Sequence, residues 1–303
     1  MNSPEHVAAN QLFAEGDVQG ALEGYQRLFA AHPECPVFLS NAVLCLVRLN
    51  RRVDAFQQAQ RLVATFPTFP KAFQRLYQAA VLDKHPAVAL VAHPAISTDP
   101  PPPELYAKYY KTSPITVRYQ GKERGKGVFA TKHINADDLI LCEFPLVSSP
   151  KIKDIGRACF FCTRVVVPPT PPPTHTDVFL ALRKEPPITC ACGLCFCSER
   201  CRSMDDAHDA LCAKIGPLLA YCRAAQVTHA LLVARIFAVV LHAESMEKAL
   251  FPIAVFQTTP LPAVDSELVP IFEEVFGDEL ARFAPFGGWR HVMALCFAAI
   301  KYN

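Results

Sequence analysis

Eight of the thirteen cysteines in this 303-residue chain fall between Cys159 and Cys212, and their spacing constrains the fold more than any other feature. Cys159-x2-Cys162 opens the set. Cys190, Cys192 and Cys195 follow a long intervening stretch, then Cys197-x3-Cys201, and His208-x3-Cys212 closes it. Thiolates two or three residues apart can grip one tetrahedral Zn²⁺ from a tight knuckle, and a His-x3-Cys pair fits one helical turn. Eight ligands make two closed sites, and closed sites are structural rather than catalytic. Buried or disulfide-bonded cysteines are the alternative, but chance rarely sets so many spacings.

The length allows two or three domains, each with its own core. A hydrophobic fraction of 51% marks a folded chain. Thirty basic residues against 28 acidic ones leave a charge of +2, so no nucleic-acid partner is expected. The start MNSPEHVAANQ has neither a basic region nor an apolar core and reads as no signal peptide. The most apolar stretch, 230–243, is short and carries Arg235; it predicts a buried helix rather than a membrane span. Reduced, metal-binding cysteines then suggest cytoplasm, nucleus or both.

Sliding the first 45 residues forward by 34 positions brings Pro33 onto Pro67, Ala21 onto Ala55, Leu22 onto Phe56 and Gly16 onto Asn50. That period belongs to helix-turn-helix units that bury a face only against their neighbours. A third unit starts at Lys71-Ala72-Phe73 and runs into a Pro-rich stretch by Pro94. Residues 1–93 therefore resemble tetratricopeptide repeats, with two and a half units. In such domains that hold the acidic C-terminal tail of chaperones, a two-carboxylate clamp uses Lys, Asn, Asn, Lys and Arg. The matching positions here are His6, Asn10, Asn41, Lys71 and Arg75. The resemblance implies binding of an acidic peptide with a free carboxylate end. His6 departs from the usual Lys and weakens the expected clamp near neutral pH. An ordinary solvated face is the competing reading.

Residues 94–112 read as a stiff Pro-rich linker. Beyond it, ITVRYQ (115–120) alternates like a strand, with further strand-like runs at 128–131 and 139–143 and a turn at 135–138. The order of motifs then becomes specific. Arg124-Gly125-Lys126-Gly127-Val128-Phe129-Ala130 precedes Glu143-Phe144-Pro145-Leu146-Val147, and the cysteine module follows directly. This order resembles the SET and MYND domain-containing protein lysine methyltransferases, in which a zinc-binding MYND module interrupts the SET domain. Phe196-Cys197-Ser198-x2-Cys201 fits the MYND signature with Phe196 in place of the usual Tyr.

The resemblance implies a multidomain α+β protein. An α-helical repeat solenoid (1–93) and the linker come first. The N-terminal part of a β-rich SET domain (113–157), a MYND finger (158–212) and a helical SET insertion (213–303) follow. It implies that the backbone of Arg124, Gly125, Lys126 and Gly127 lies against S-adenosylmethionine. It implies interleaved zinc sites, Cys159, Cys162, Cys197 and Cys201 sharing one ion, and Cys190, Cys192, His208 and Cys212 the other. Cys195 competes with Cys190 through a Cys192-x2-Cys195 reading. MYND modules in general bind proline-rich peptides, so protein substrates or such peptides are the expected partners.

One departure is large. The family's Asn-His-Ser-Cys motif and its late tyrosine strand occur nowhere in these 303 residues, and Tyr302 and Asn303 do not substitute for them. The expectation is an incomplete, inactive form of the methyltransferase with no catalytic residue present. A non-catalytic zinc-binding adaptor is the alternative. After Cys212 the apolar spacing predicts helices, including 267–283 and 289–300, with His229, His242 and His291 as packed or surface residues.

Overall fold

The computed structural model describes residues 3–97, 102, 105, 114–120, 124, 126–140, 145–166, 187–256 and 261–302. The chain is mostly helical with small sheets and divides into two compact units. One comprises 1–142, 250–263 and 280–303; the other comprises 143–249 and 264–279. Among the described residues no helix is long and apolar enough to cross a membrane.

The first unit begins with six helices: α1 (Pro4–Glu15), α2 (Val18–Ala31), α3 (Pro36–Arg48), α4 (Arg52–Thr65), α5 (Ala72–Leu82) and α6 (Pro86–Ala92). Each packs against the next, and α3 also meets α5. The 34-residue period is written into the backbone. Gly16, Asn50 and Lys84 all turn through positive φ between paired helices. Ala21, Ala55 and Ala89, one period apart, are fully buried, as are Leu22 and Leu90. Small side chains at these places let helices approach closely. At Gly24 even a methyl would stand 3.0 Å from the Ala9 Cβ. Proline opens α1, α3 and α6, where its missing N–H costs nothing. The sequence reading stopped within a third unit, whereas the structure carries a second helix there to Ala92 and closes it with a 3-10 turn, His93–Ala95.

A two-stranded antiparallel hairpin follows. Here β1 (Ile115–Tyr119) pairs with β2 (Lys126–Ala130), Ile115 opposite Ala130 and Tyr119 opposite Lys126. The turn at 135–138 forms, with the Asn135 amide donating to the Asp138 carboxylate at 2.8 Å. Leu139 and Ile140 are not in a strand, and Leu139 is among the most exposed apolar residues. The rest of that expected strand, with Glu143 and Phe144, lies outside the described residues, as does most of the linker.

The C-terminal helix of this unit, labelled α13 below, spans Trp289–Tyr302. It contributes Val292, Met293, Leu295 and Cys296 to the core. His291 packs its ring 4.6 Å from that of Phe73, and its Nε2 lies 2.7 Å from the Val91 carbonyl oxygen. Burial pulls its pKa down, so it is a neutral packed histidine that donates to that carbonyl.

The second unit holds the cysteine-rich segment, built on β3 (Ile188–Thr189), β4 (Cys195–Phe196), α7 (Glu199–Ser203) and α8 (Asp206–Leu211). The helices α9 (Gly216–Ala225), α10 (His229–His242) and α12 (Leu268–Phe276) belong to it as well. Helix α11 (Met246–Phe256) carries the chain from this unit into the first. Phe237 on α10 meets Phe272 edge-on at 5.3 Å and Phe276 at 5.6 Å. The helix expected over 267–283 stops at Phe276. Gly277 takes φ +51° and the chain tightens into a 3-10 run over Gly277–Phe286.

Candidate metal centre

The first knuckle is a backbone turn locked at both ends. The Cys159 amide donates to the Arg164 carbonyl at 2.7 Å, and the Thr163 amide donates to the Cys159 carbonyl at 2.8 Å. Thr163 holds φ +59° to close that turn. Phe160, inside the knuckle, donates its amide to the Cys195 carbonyl at 2.8 Å and so ties the knuckle to β4. Immediately after β4 comes Cys197. Ser198 then caps α7, its hydroxyl accepting the Cys201 amide at 3.2 Å, and this fixes Cys201 one turn from Cys197.

The second set is built on the β3–β4 hairpin and on α8. With Thr189 opposite Cys195, the residues between them form the hairpin tip. Cys190 donates to Leu194 at 2.8 Å there, and Gly193 supplies the positive φ that the turn requires. Cys190 and Cys192 therefore stand together at the tip. Asp205 caps α8 by accepting the His208 amide at 3.1 Å, and His208 and Cys212 lie one helical turn apart.

Two groups of four donors result. The ligand atoms of Cys159, Cys162, Cys197 and Cys201 lie within 4.8 Å of one another, and those of Cys190, Cys192, His208 and Cys212 do likewise. Sulfur–sulfur separations are 3.6 Å for Cys162–Cys197, 3.4 Å for Cys197–Cys201 and 3.4 Å for Cys190–Cys212. The Cys192 sulfur is 3.4 Å from His208 Nε2. A tetrahedron with zinc–sulfur bonds of about 2.3 Å has edges of about 3.8 Å, so the cages are close to that size. None of the described cysteines is in a disulfide. Both groups could hold a metal ion.

Burial, together with the neighbouring Cys190 and Cys197 sulfurs, pushes the Cys192 and Cys201 thiols up to about 12. A divalent cation reverses that preference, since a coordinating thiol is deprotonated outright. His208 is fully buried, and burial together with the Arg202 guanidinium holds it below the usual histidine range. It is thus neutral, as a ligand must be. With Nε2 turned to the cysteines, Nδ1 accepts from the Arg202 Nε at 3.3 Å and lies 3.4 Å from an Asp209 carboxylate oxygen.

Cys195 joins neither group. It is buried, its thiol donates to the Gly156 carbonyl at 2.9 Å, and it lies 3.6 Å from the Thr189 hydroxyl. Strand register decides this: position 195 is in the ladder, whereas 190 and 192 are at the tip. Sequence reasoning missed Asp205 and Arg235. The Asp-x-x-His spacing before α8 carried a legible capping signal, and a lone arginine in an apolar helix was a signal too.

The other expected site residues are placed as follows. Arg124 is exposed in the β1–β2 turn, Lys126 opens β2, and Gly125 lies outside the described residues. An added methyl at Gly127 would stand 3.0 Å from the Phe129 ring, so glycine there has a local reason independent of any cofactor. Around the first helices, Tyr25 gathers part of the polar set. Its hydroxyl donates to Asn10 Oδ1 at 2.7 Å, and His6 stands edge-on to Phe38 at 5.2 Å and to Tyr25 itself at 6.3 Å. Arg75 is only 6% exposed, with its Nε donating to the Ser40 carbonyl at 3.2 Å and an Nη to Gln78 at 2.9 Å. Lys71 is exposed at the start of α5.

Comparison with known proteins gives one partial likeness. The chain is 33% identical over 119 residues to protein-lysine N-trimethyltransferase SMYD5 of Danio rerio. The match covers 34% of this chain and 28% of that protein. No protein-family model matches the chain. No solved structure matches it either.

Proposed function

We propose that this chain is part of an S-adenosylmethionine-dependent protein-lysine methyltransferase of the SET-MYND type, in which two zinc ions hold the cysteine-rich segment. The observation that carries this reading is the pair of interleaved four-donor groups, Cys159, Cys162, Cys197 and Cys201 beside Cys190, Cys192, His208 and Cys212. The partial likeness to a lysine methyltransferase adds to it. Zinc in such closed sites supplies folding energy and leaves no open position for substrate. Metal analysis of the purified 303-residue protein is expected to return two zinc ions per chain. Cys190→Ser should lower that count, while Cys195→Ser should keep it, because the Cys195 thiol is spent on the Gly156 carbonyl. One ion or none in the parent protein, or the reverse behaviour of the two variants, would overturn the assignment.

S-adenosylmethionine, when bound, supplies a methyl group from its sulfonium to a neutral lysine amine. Arg124, Gly125, Lys126 and Gly127 are the residues proposed to lie along it. They make one wall only, and the 303 residues contain no Asn-His-Ser-Cys motif for another. Half a pocket leaves the ordering cost of binding uncompensated. The 303-residue polypeptide is therefore expected to bind the cofactor weakly and to transfer no methyl group to histones or other proteins. Turnover in a tritiated-methyl assay would place the active site elsewhere.

A second reading is a non-catalytic adaptor in cytoplasm or nucleus, in which tetratricopeptide-like helices and a MYND finger recruit partners. Proline-rich peptides at the finger and an acidic chaperone tail at His6, Asn10, Asn41, Lys71 and Arg75 are the proposed ligands. The state of Arg75 favours the second of these. Among the described residues it has no carboxylate partner, and burial pushes the neighbouring Cys45 thiol up to about 11, which leaves that thiol neutral. Its charge is hydrogen-bonded but not balanced, and a ligand carboxylate would balance it.

A further inference from the structure

Helix α10 is apolar along most of its length, yet it carries Arg235 with only 2% of its surface exposed. Two of its guanidinium nitrogens donate to the two oxygens of Asp205, at 3.0 and 2.9 Å. Both side chains of the pair are almost wholly out of water, and the arginine Nε has no hydrogen-bond partner among the described residues. Such a pair is a poor source of stability. Its desolvation cost rivals its attraction, and a well-packed apolar pair of similar volume often serves as well. What it does supply is fixed geometry, because a bidentate arginine–carboxylate contact sets both distance and plane.

The two ends of that geometry reach different metal groups. Asp205 is the cap of α8, and the same Oδ1 that accepts from Arg235 also accepts the His208 amide at 3.1 Å. On the other side, the Arg235 guanidinium lies 4.4 Å over the ring of Phe160. Phe160 sits between Cys159 and Cys162 and is itself 1% exposed. One side chain thus braces the His208 group through Asp205 and the Cys159–Cys162 knuckle through Phe160.

We propose that Arg235 is a positioning residue shared by both metal groups, so that helix α10 and the cysteine-rich segment hold their ions as one cooperative unit. This rests on the zinc reading given above. The expected size follows from the usual effect of groups that orient metal ligands, about 10- to 100-fold in affinity. Asp205→Asn keeps an oxygen to cap α8 but removes the charge that Arg235 pairs with. The double variant Asp205→Asn/Arg235→Met removes both charges and restores an apolar neighbour for Phe160.

The test measures zinc transfer from the full 303-residue protein to a chromogenic chelator, alongside the thermal midpoint and the absorption spectrum after cobalt substitution. Both zinc ions of the double variant are expected to leave about 10- to 100-fold faster than in the parent. Its thermal midpoint in saturating zinc should stay close to the parent's, and its cobalt bands should be shifted at both sites. Parent-like zinc release in the double variant, or a change confined to the His208 group, would overturn the shared role. If the Asn and Met variants do not fold, Arg235→Lys, which keeps the cation but not the bidentate contact, is read by the same criteria. A parent protein holding fewer than two zinc ions would remove the metal reading itself, and this inference with it.

Discussion

A strong chelator is expected to unfold the cysteine-rich segment while leaving helices α1 to α6 folded. Apart from its packing on α10, the segment's described elements are short. Its strands are two residues each, and α7 and α8 span five and six residues, far below the length at which a helix persists alone. Among the described residues its fully buried phenylalanines are Phe160 and Phe196, too few for a core of ordinary size. Structural zinc contributes about 10 to 16 kcal/mol at neutral pH in comparable small modules, as much as the whole stability of a typical domain. The repeat helices rest on a different core, Ala21, Leu22, Ala55, Leu62, Leu76 and Leu90 among others. Hydrogen exchange followed by mass spectrometry reads the two regions separately. On chelation, amides over 155–166 and 187–212 should lose their protection and those over 4–92 should keep it, with recovery on adding zinc. Unchanged exchange over 155–166 and 187–212 in chelator would mean that packing, not metal, holds the fold there.

Legibility in the sequence followed the range of the interactions. The 34-residue period could be read because each turn and each small residue is set locally, and Gly16, Asn50 and Lys84 carry it into the backbone. The eight donors that form the two groups were readable because ligand spacing is a short-range property. The choice between Cys190 and Cys195 was not, since it depends on which residues pair across the β3–β4 ladder. Arg235 was seen as a break in an apolar run, but its partner is 30 residues away and could not be found from spacing. The end of α12 at Phe276 was missed because Phe283, like the helix residues before it, is buried, and apolar spacing runs on past Gly277. The polar set on the first helices was identified by position alone. Tyr25, which holds Asn10 by a hydrogen bond from α2, carried no signal of that role.

Lys71→Ala and Arg75→Ala should have unlike effects, although the two lie only four positions apart on the same stretch of chain. Lys71 is exposed, so its loss should leave the thermal midpoint within the usual range for surface changes, about 0.5 kcal/mol. Arg75 is buried against the Ser40 carbonyl and Gln78. Removing it leaves a void and two acceptors without their donor, and should cost about 3 kcal/mol of stability. Both variants should weaken binding of an acidic peptide with a free C-terminus, of the Glu-Glu-Val-Asp type. A charged hydrogen bond is worth about 1.5 to 3 kcal/mol, so Lys71→Ala should lower affinity roughly ten-fold or more. Calorimetric titration of the full chain with the peptide and with its C-terminally amidated form measures this directly. The free peptide should bind more tightly, and only the Arg75 variant should also melt earlier. Equal affinity for the two peptides, or an unchanged affinity in Lys71→Ala, would reduce the set to a solvated face and leave Arg75 as a cation of the core. The buried arginine would then hold Ser40 and Gln78 in place for the packing of α3 against α5 and for nothing else.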